Sequence, residues 1–218
     1  MIAKENYQKI INSLPENIGL VAVSKTYGIE AIREIYDLGQ RVFGENKVQE
    51  ILQKQPFLPS DIKWHLIGHL QTNKVKYIAE FIDTIESVDS EKLLREIDRQ
   101  AEKYNRKIKI LLQVRIAKED TKTGMNIVET RELFYKFLQG YFKNVEITGL
   151  MGIASLTNNS QRIREEFLIL KNLFDELSKD RKLSTLSMGM SGDYPLAIEC
   201  GSTSVRIGSL IFGSRNYH

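Results

Sequence analysis

The sequence predicts an α/β protein built as a (β/α)8 TIM barrel. Three observations carry that expectation. Eight short apolar runs alternate with stretches of helical periodicity. A lysine, Lys25, directly follows the first run. Gly- and Ser-rich loops follow the last two. The chain has 218 residues, and α/β barrels of ~200–250 residues occur as one domain, so residues 1–218 are read as a single domain. An open doubly wound sheet satisfies the same alternation, because periodicity does not report closure.

The elements follow in order. Ile2, Ile10, Ile11 and Leu14 stripe a first helix that Pro15 ends. Ile18–Val23 carries no charge, as in a parallel strand buried on both faces. Ile29, Ile32, Ile35, Tyr36 and Leu38 recur at helical spacing, and Gly39 supplies the stop. The short run 41–44 reads as a second strand, and 45–50 opens a helix broken by Pro56 and Pro59. Lys63–Gly68 is a third strand, with a helix expected over about 69–80. A fourth strand is expected over 81–88, before a helix capped by Ser90. Residues 107–116 form the fifth strand, and a polar loop, 117–124, leads to a helix over 128–138. The sixth strand covers 145–151 and the longest helix about 160–179. A seventh strand, 183–187, a brief helix, 193–199, and an eighth strand, 203–207, complete the set.

Composition removes several function classes. A formal net charge of +3 with interspersed signs gives no nucleic-acid footprint, and the aromatic residues form no stacking platform. No apolar run approaches the ~20 residues of a membrane span, and the first residues lack a signal-peptide core. One cysteine, Cys200, excludes an intrachain disulfide. A cytoplasmic protein that engages neither nucleic acid nor membrane is expected. Walker A, GxGxxG and GxSxG patterns are missing. His65 and His69 are four apart, but Gly68 between them places them on a strand-to-loop transition rather than one helical face, so no metal site is expected.

Lys25 sits at the carboxyl end of its strand, where α/β folds bind ligands. Partial desolvation there frees an amine for Schiff-base chemistry. The alternative is a lysine that merely reaches solvent. Gly208 and Ser209 follow the last strand and Ser187 ends the seventh, where barrels often bind phosphate. The alternative for each glycine is an ordinary turn. The turn Ser191-Gly192-Asp193 reads as a cap for the helix after it. Arg206 alternates with apolar neighbours, and either faces a ligand or pairs with a carboxylate.

A set of segments shares one pattern: Val21-Ala22-Val23-Ser24-Lys25, Phe43-Gly44-Glu45-Asn46, Trp64-His65-Leu66-Ile67-Gly68, Gly149-Leu150-Met151, Ser187-Met188-Gly189-Met190-Ser191, and Gly201-Ser202-Thr203 with Val205-Arg206-Ile207-Gly208. In this the chain resembles the pyridoxal 5′-phosphate (PLP) homeostasis proteins, also called proline synthase co-transcribed homologues, nearly end to end. The resemblance implies a fold-type III barrel like the N-terminal domain of alanine racemase. It implies PLP held as an internal aldimine on Lys25, with Arg206 at the pyridine nitrogen. It implies a phosphate cup of Ser187, Gly208 and Ser209, with Ser204 or Thr203 nearby, and Asn46 and Met151 beside the ring. One segment departs from the family pattern. Gln113-Val114-Arg115 lacks the usual asparagine, and Thr121-Lys122-Thr123-Gly124 replaces a Ser-Lys-x-Gly motif. No role is assigned to that loop.

The resemblance further implies a non-catalytic role: buffering or protecting PLP, or delivering it to apo-enzymes. A barrel without a second domain can be monomeric, and a monomer is expected. The alternative is an amino-acid racemase. Racemases of this barrel type add a β domain whose tyrosine serves as second acid/base. The chain is expected to lack that domain, and two-base chemistry needs a group on each face of the cofactor.

Overall fold

The computed structural model describes residues 2–117 and 123–213. Eight parallel strands close into a barrel in chain order: β1 (Gly19–Val23), β2 (Val42–Glu45), β3 (Lys63–Leu66), β4 (Thr84–Val88), β5 (Ile108–Val114), β6 (Val145–Gly152), β7 (Thr185–Met190) and β8 (Ser204–Ile207). Pairing of β8 with β1, through Gly19 with Ser204 and Val21 with Arg206, closes the ring and rules out the open sheet. Around it lie α1 (Ile2–Ser13), α2 (Ile29–Tyr36), α3 (Val48–Lys54), α4 (Glu91–Lys103), α5 (Ile127–Leu138), α6 (Ser160–Leu177), α7 (Tyr194–Glu199) and the four-residue α8 (Ser209–Phe212).

Several helix starts follow directly from local chemistry. Ser90 accepts the Leu93 amide at the head of α4, and Asn159 accepts that of Arg162 at the head of α6. Asn126 and Glu129 form a reciprocal capping box on α5. Several expected boundaries move, among them the seventh strand, expected over 183–187 and found at Thr185–Met190, and two of the shifts have a local cause. The helix expected over 69–80 is a 3-10 helix of six residues, Thr72–Tyr77. Thr72 and Asn73 favour local turns over helix interiors, which suits a short 3-10 segment. The fourth strand starts at Thr84 rather than residue 81, because the Phe81 and Ile82 amides turn back to the Ile78 carbonyl.

The main apolar core lies outside the barrel, between the outer strand faces and the helices. It joins Ala22, Phe43, Trp64, Leu66, Ile85, Ile110, Leu112 and Ile147 to helix residues such as Ile32, Ile97, Phe134 and Phe167. Val21, Leu111 and Met151 are equally buried but stand apart from that cluster. The alternation of β5 explains why: Ile110 and Leu112 face the helices, whereas Leu111 and Gln113 face inward. The barrel interior is therefore a separate compartment, and much of it is polar.

Candidate functional site

The carboxyl ends of the strands surround a cavity of about 270 Å³ lined by Val23, Lys25, Asn46, Ile67, Ile153, Met190, Ser191, Gly192, Arg206, Gly208 and Ser209. β1 turns sharply just past its end. The Tyr27 amide bonds back to the Ser24 carbonyl, and Thr26 between them has φ +71°. Tyr27 then donates its hydroxyl to the Gly213 carbonyl and stacks on Phe212. The Lys25 turn is thus tied to the end of the chain segment that follows β8.

Two glycines allow the walls to close. A Cβ on Gly68 would lie 2.4 Å from the Asn46 carbonyl oxygen, so only glycine lets the end of β3 press on Asn46. A Cβ on Gly208 would come 3.0 Å from the Val23 carbonyl oxygen, which brings the start of α8 against β1. The first amides of any helix lack partners within it, and α8 begins at Ser209 on the cavity wall.

Arg206 is 4% exposed and its orientation is fixed by hydrogen bonds to two other strands. Nη1 donates to Ser187 Oγ at 2.6 Å, and Nη2 donates to the Gly152 carbonyl at 3.0 Å. Ser187 in turn donates to Glu86 Oε2 at 2.6 Å, and Glu86 Oε1 meets His65 Nδ1 at 2.7 Å. His65 Nε2 faces Asp83 at 3.5 Å. A polar chain therefore crosses the barrel from Asp83 near its amino end to Arg206 at the cavity. Burial pushes the Glu86 carboxyl up, but His65, Arg206 and Ser187 outweigh it and hold it below its ordinary value. Burial pulls His65 down, and the Asp83 and Glu86 carboxylates more than reverse this. Both shifts describe a charged pair inside the barrel.

Comparison with known proteins fits this architecture. The family model for the alanine racemase N-terminal domain matches residues 3–216. A protein of Aquifex aeolicus named pyridoxal phosphate homeostasis protein is 43% identical over 201 residues, covering 91% of this chain and 87% of that protein. This chain belongs to the pyridoxal phosphate homeostasis protein family. PipY of Synechococcus elongatus, solved with PLP bound, superposes with a TM-score of 0.87 at 38% identity, covering 97% of this chain and 100% of PipY. An alanine racemase of Clostridium difficile shares the fold with a TM-score of 0.78 at 14% identity, where the match covers 98% of this chain and 57% of the racemase.

Of the residues this homeostasis-protein pattern singles out, the structure brings Lys25, Asn46, Arg206, Gly208 and Ser209 to one cavity. It leaves four elsewhere. Ser187 is fully buried and bridges Glu86 and Arg206 instead of lining the cavity. Ser204 starts β8 opposite Gly19, at the amino end. Gly208 is four positions further along, a rise of about 13 Å at ~3.3 Å per residue. Thr203 lies lower still, accepting the Leu186 amide and donating to the Ser184 carbonyl. Met151, wholly buried, pairs with Gln113 and Ser187 two residues before Ile153, the cavity-lining residue that follows β6.

Sequence reasoning passed over Ser191 and Gly192 as cavity residues, reading them as a helix cap. The Asp193 carboxylate makes no side-chain cap on α7 and instead accepts the Met190 amide at 2.6 Å. The signal was present, since this Ser-Gly turn follows strand seven, where barrels place phosphate ligands. In the departing loop, Arg115 is exposed and its amide bonds to the Met125 carbonyl. Thr121 and Lys122 lie outside the described residues. Among the described residues, no cluster of three or more His, Cys, Asp or Glu has the arrangement of a metal site.

Proposed function

We propose that this chain binds PLP through Lys25 and serves PLP homeostasis by buffering, protecting or delivering the cofactor, without a substrate turnover of its own. The observation that carries the reading is the cavity itself. It holds a primary amine, a guanidinium with fixed orientation, and a wall of Ser191, Gly192, Gly208 and Ser209 small enough for backbone to approach a phosphate. Its volume of about 270 Å³ suits a ligand smaller than the drug-sized molecules held in ~300–1,000 Å³ sites. The donor set fits PLP. When bound, PLP brings an aldehyde that condenses with a primary amine with loss of water, and a phosphate and a ring nitrogen that anchor it.

Each residue has a task in this reading. Lys25 supplies the amine. Gly208, Ser209, Ser191 and Gly192 surround the phosphate. Asn46 lies beside the ring. Arg206 presents its remaining N–H donors to the ring nitrogen; a guanidinium only donates, so that nitrogen stays unprotonated. An unprotonated nitrogen withdraws electrons weakly, which disfavours carbanion chemistry. Lys25 and Arg206 are the only titratable residues among the described lining residues. Arg206 does not give up a proton, so one acid/base group serves the cavity where two-base racemisation needs two. This favours carrier over racemase.

The reading extends to a monomeric barrel in the cytoplasm that hands PLP to apo-enzymes. No helix among the described residues is long and apolar enough to cross a membrane. The test is the visible spectrum of the protein with PLP, before and after borohydride, with peptide mapping of the reduced adduct. A yellow protein with the adduct on Lys25, lost in Lys25→Ala, is expected. Adduct retained in Lys25→Ala refutes the assignment of Lys25, and robust Lys25-dependent racemisation of amino acids refutes the carrier reading.

A further inference from the structure

On the face of β1 and β2 turned away from the cavity, Glu45, Glu50 and Lys54 form an ion cluster that the binding reading does not use. Glu45 ends β2 and is wholly buried, and Lys54 on α3 is 7% exposed. Lys54 Nζ meets Glu45 Oε1 at 2.7 Å and Glu50 Oε2 at 3.2 Å, and donates to the Ser24 carbonyl at 3.0 Å. An ammonium has three protons to donate, and these three contacts match them. Ser24 also donates its hydroxyl to Glu45 Oε1 at 2.7 Å. The Thr26 amide donates to Glu50 Oε2 at 2.7 Å.

The cluster therefore grips Ser24 at its hydroxyl and its carbonyl, and Thr26 at its amide. The residue between them is Lys25. Thr26 is β-branched and holds φ +71°, a left-handed conformation that such residues avoid. Something must hold it there, and the Glu50 hydrogen bond acts on that peptide. A buried ion pair is weak evidence for stability, since well-packed apolar residues of similar volume often do as well. Apolar replacements would fill the space but could not hold the Ser24 carbonyl and the Thr26 amide.

We infer that Glu45, Glu50 and Lys54 are positioning residues that fix the backbone on both sides of Lys25 and so aim its amine into the cavity. The inference rests on Lys25 being the PLP-binding lysine. Burial, outweighing Lys54 and Ser24, pushes the Glu45 carboxyl up to about 7. The charged groups that face it are Lys54 and Glu50, both from α3, while β1 offers only the Ser24 hydroxyl.

The test titrates PLP into wild type, Glu50→Ala, Glu50→Gln and the Glu50→Ala/Thr26→Gly double variant, following visible absorbance, with the melting of each protein measured alongside. Glu50→Ala is expected to weaken PLP about tenfold, which is ~1.4 kcal/mol. Glu50→Gln keeps an acceptor for the Thr26 amide, so its loss is about threefold, ~0.7 kcal/mol by the same conversion. Glycine adopts positive φ without help, so the double variant returns to within about threefold of wild type, ~0.7 kcal/mol. A merely structural cluster would not be rescued this way. Hydrogen exchange of the Thr26 amide in the cofactor-free protein supplies a reading independent of PLP, and faster exchange in Glu50→Ala is expected. Binding by Glu50→Ala within about twofold of wild type, or a double variant no tighter than Glu50→Ala, overturns the inference. Lys25→Ala separates the two layers. If that variant still gives the borohydride-reducible product, the assignment of Lys25 fails. If it does not, and Glu50→Ala binds normally, the positioning role fails alone.

Discussion

Glu86→Gln tests the charged chain inside the barrel. Glu86 is 1% exposed, takes one hydrogen bond from Ser187, shares another with His65, and stands 3.8 Å from Arg206. Gln keeps the volume, so no cavity is made. It removes the negative charge and one acceptor position, taking from buried Arg206 the carboxylate that stands 3.8 Å away and leaving the field of Asp193. Losing a hydrogen bond to a charged group costs ~1.5–3 kcal/mol, and breaking a buried pair from one side costs ~3–5 kcal/mol. The two overlap, so about 3 kcal/mol is expected, or a fall in Tm of ~6–12 °C for a barrel of this size.

The pH dependence has a defined sign. Glu86 is held below its ordinary 4.5, so its stabilisation is complete above that value and fades as pH falls through the lower folded value. His65 is held above 6.5, so its stabilisation is complete below that value and fades as pH rises through the higher folded value. The difference between wild type and Glu86→Gln is therefore greatest between about pH 4.5 and 6.5. Urea denaturation at pH 3.5, 5.5 and 9, with m values compared, measures it. A difference under ~0.5 kcal/mol at pH 5.5, the usual range for inconsequential substitutions, or one equally large at all three pH values, refutes the reasoning.

Further predictions concern the cavity walls. Gly68→Ala drives a Cβ into the Asn46 carbonyl, so a stability loss of ~1–3 kcal/mol in urea melts and weaker PLP uptake are expected. Unchanged uptake with unchanged stability would mean that the β3 end does not hold Asn46. Ser204→Ala, at the amino end of β8, is expected to leave PLP affinity within about twofold, ~0.4 kcal/mol; a loss of tenfold or more by absorbance titration would return Ser204 to the phosphate site. Arg206→Gln is expected to alter the visible spectrum of the PLP-loaded protein, because the ring nitrogen loses a permanently charged donor. An identical spectrum counts against that contact.

Much of the fold was legible because parallel strands covered on both faces become apolar runs without alternation, as in Ile18–Val23 and Ile108–Val114. Helix heads were legible where a capping side chain made them, as at Ser90. The region after β3 was not, because Thr72 to Tyr77 mixes apolar spacing with residues that prefer turns. Lys25 and Arg206 stood out because each sits near the top of a strand. The partners of Arg206 were hidden, since His65, Glu86 and Ser187 lie on three other strands and meet only once the sheet has closed. Ser204 stands away from the cavity for a simpler reason: nearness in sequence is distance along an extended strand.

The anchoring of Arg206 has a mechanical consequence. Its own strand is β8, but its partners come from β6 and β7, and the chain behind them reaches β4 and β3. Lys25 stands in the turn that follows β1, the strand that seals the ring against β8. A ligand that touches both residues therefore bridges the seam where the first and last parts of the chain meet. Such a ligand acts as a latch. It raises the free energy of any partial opening at that seam, by an amount that grows with the logarithm of its concentration above Kd.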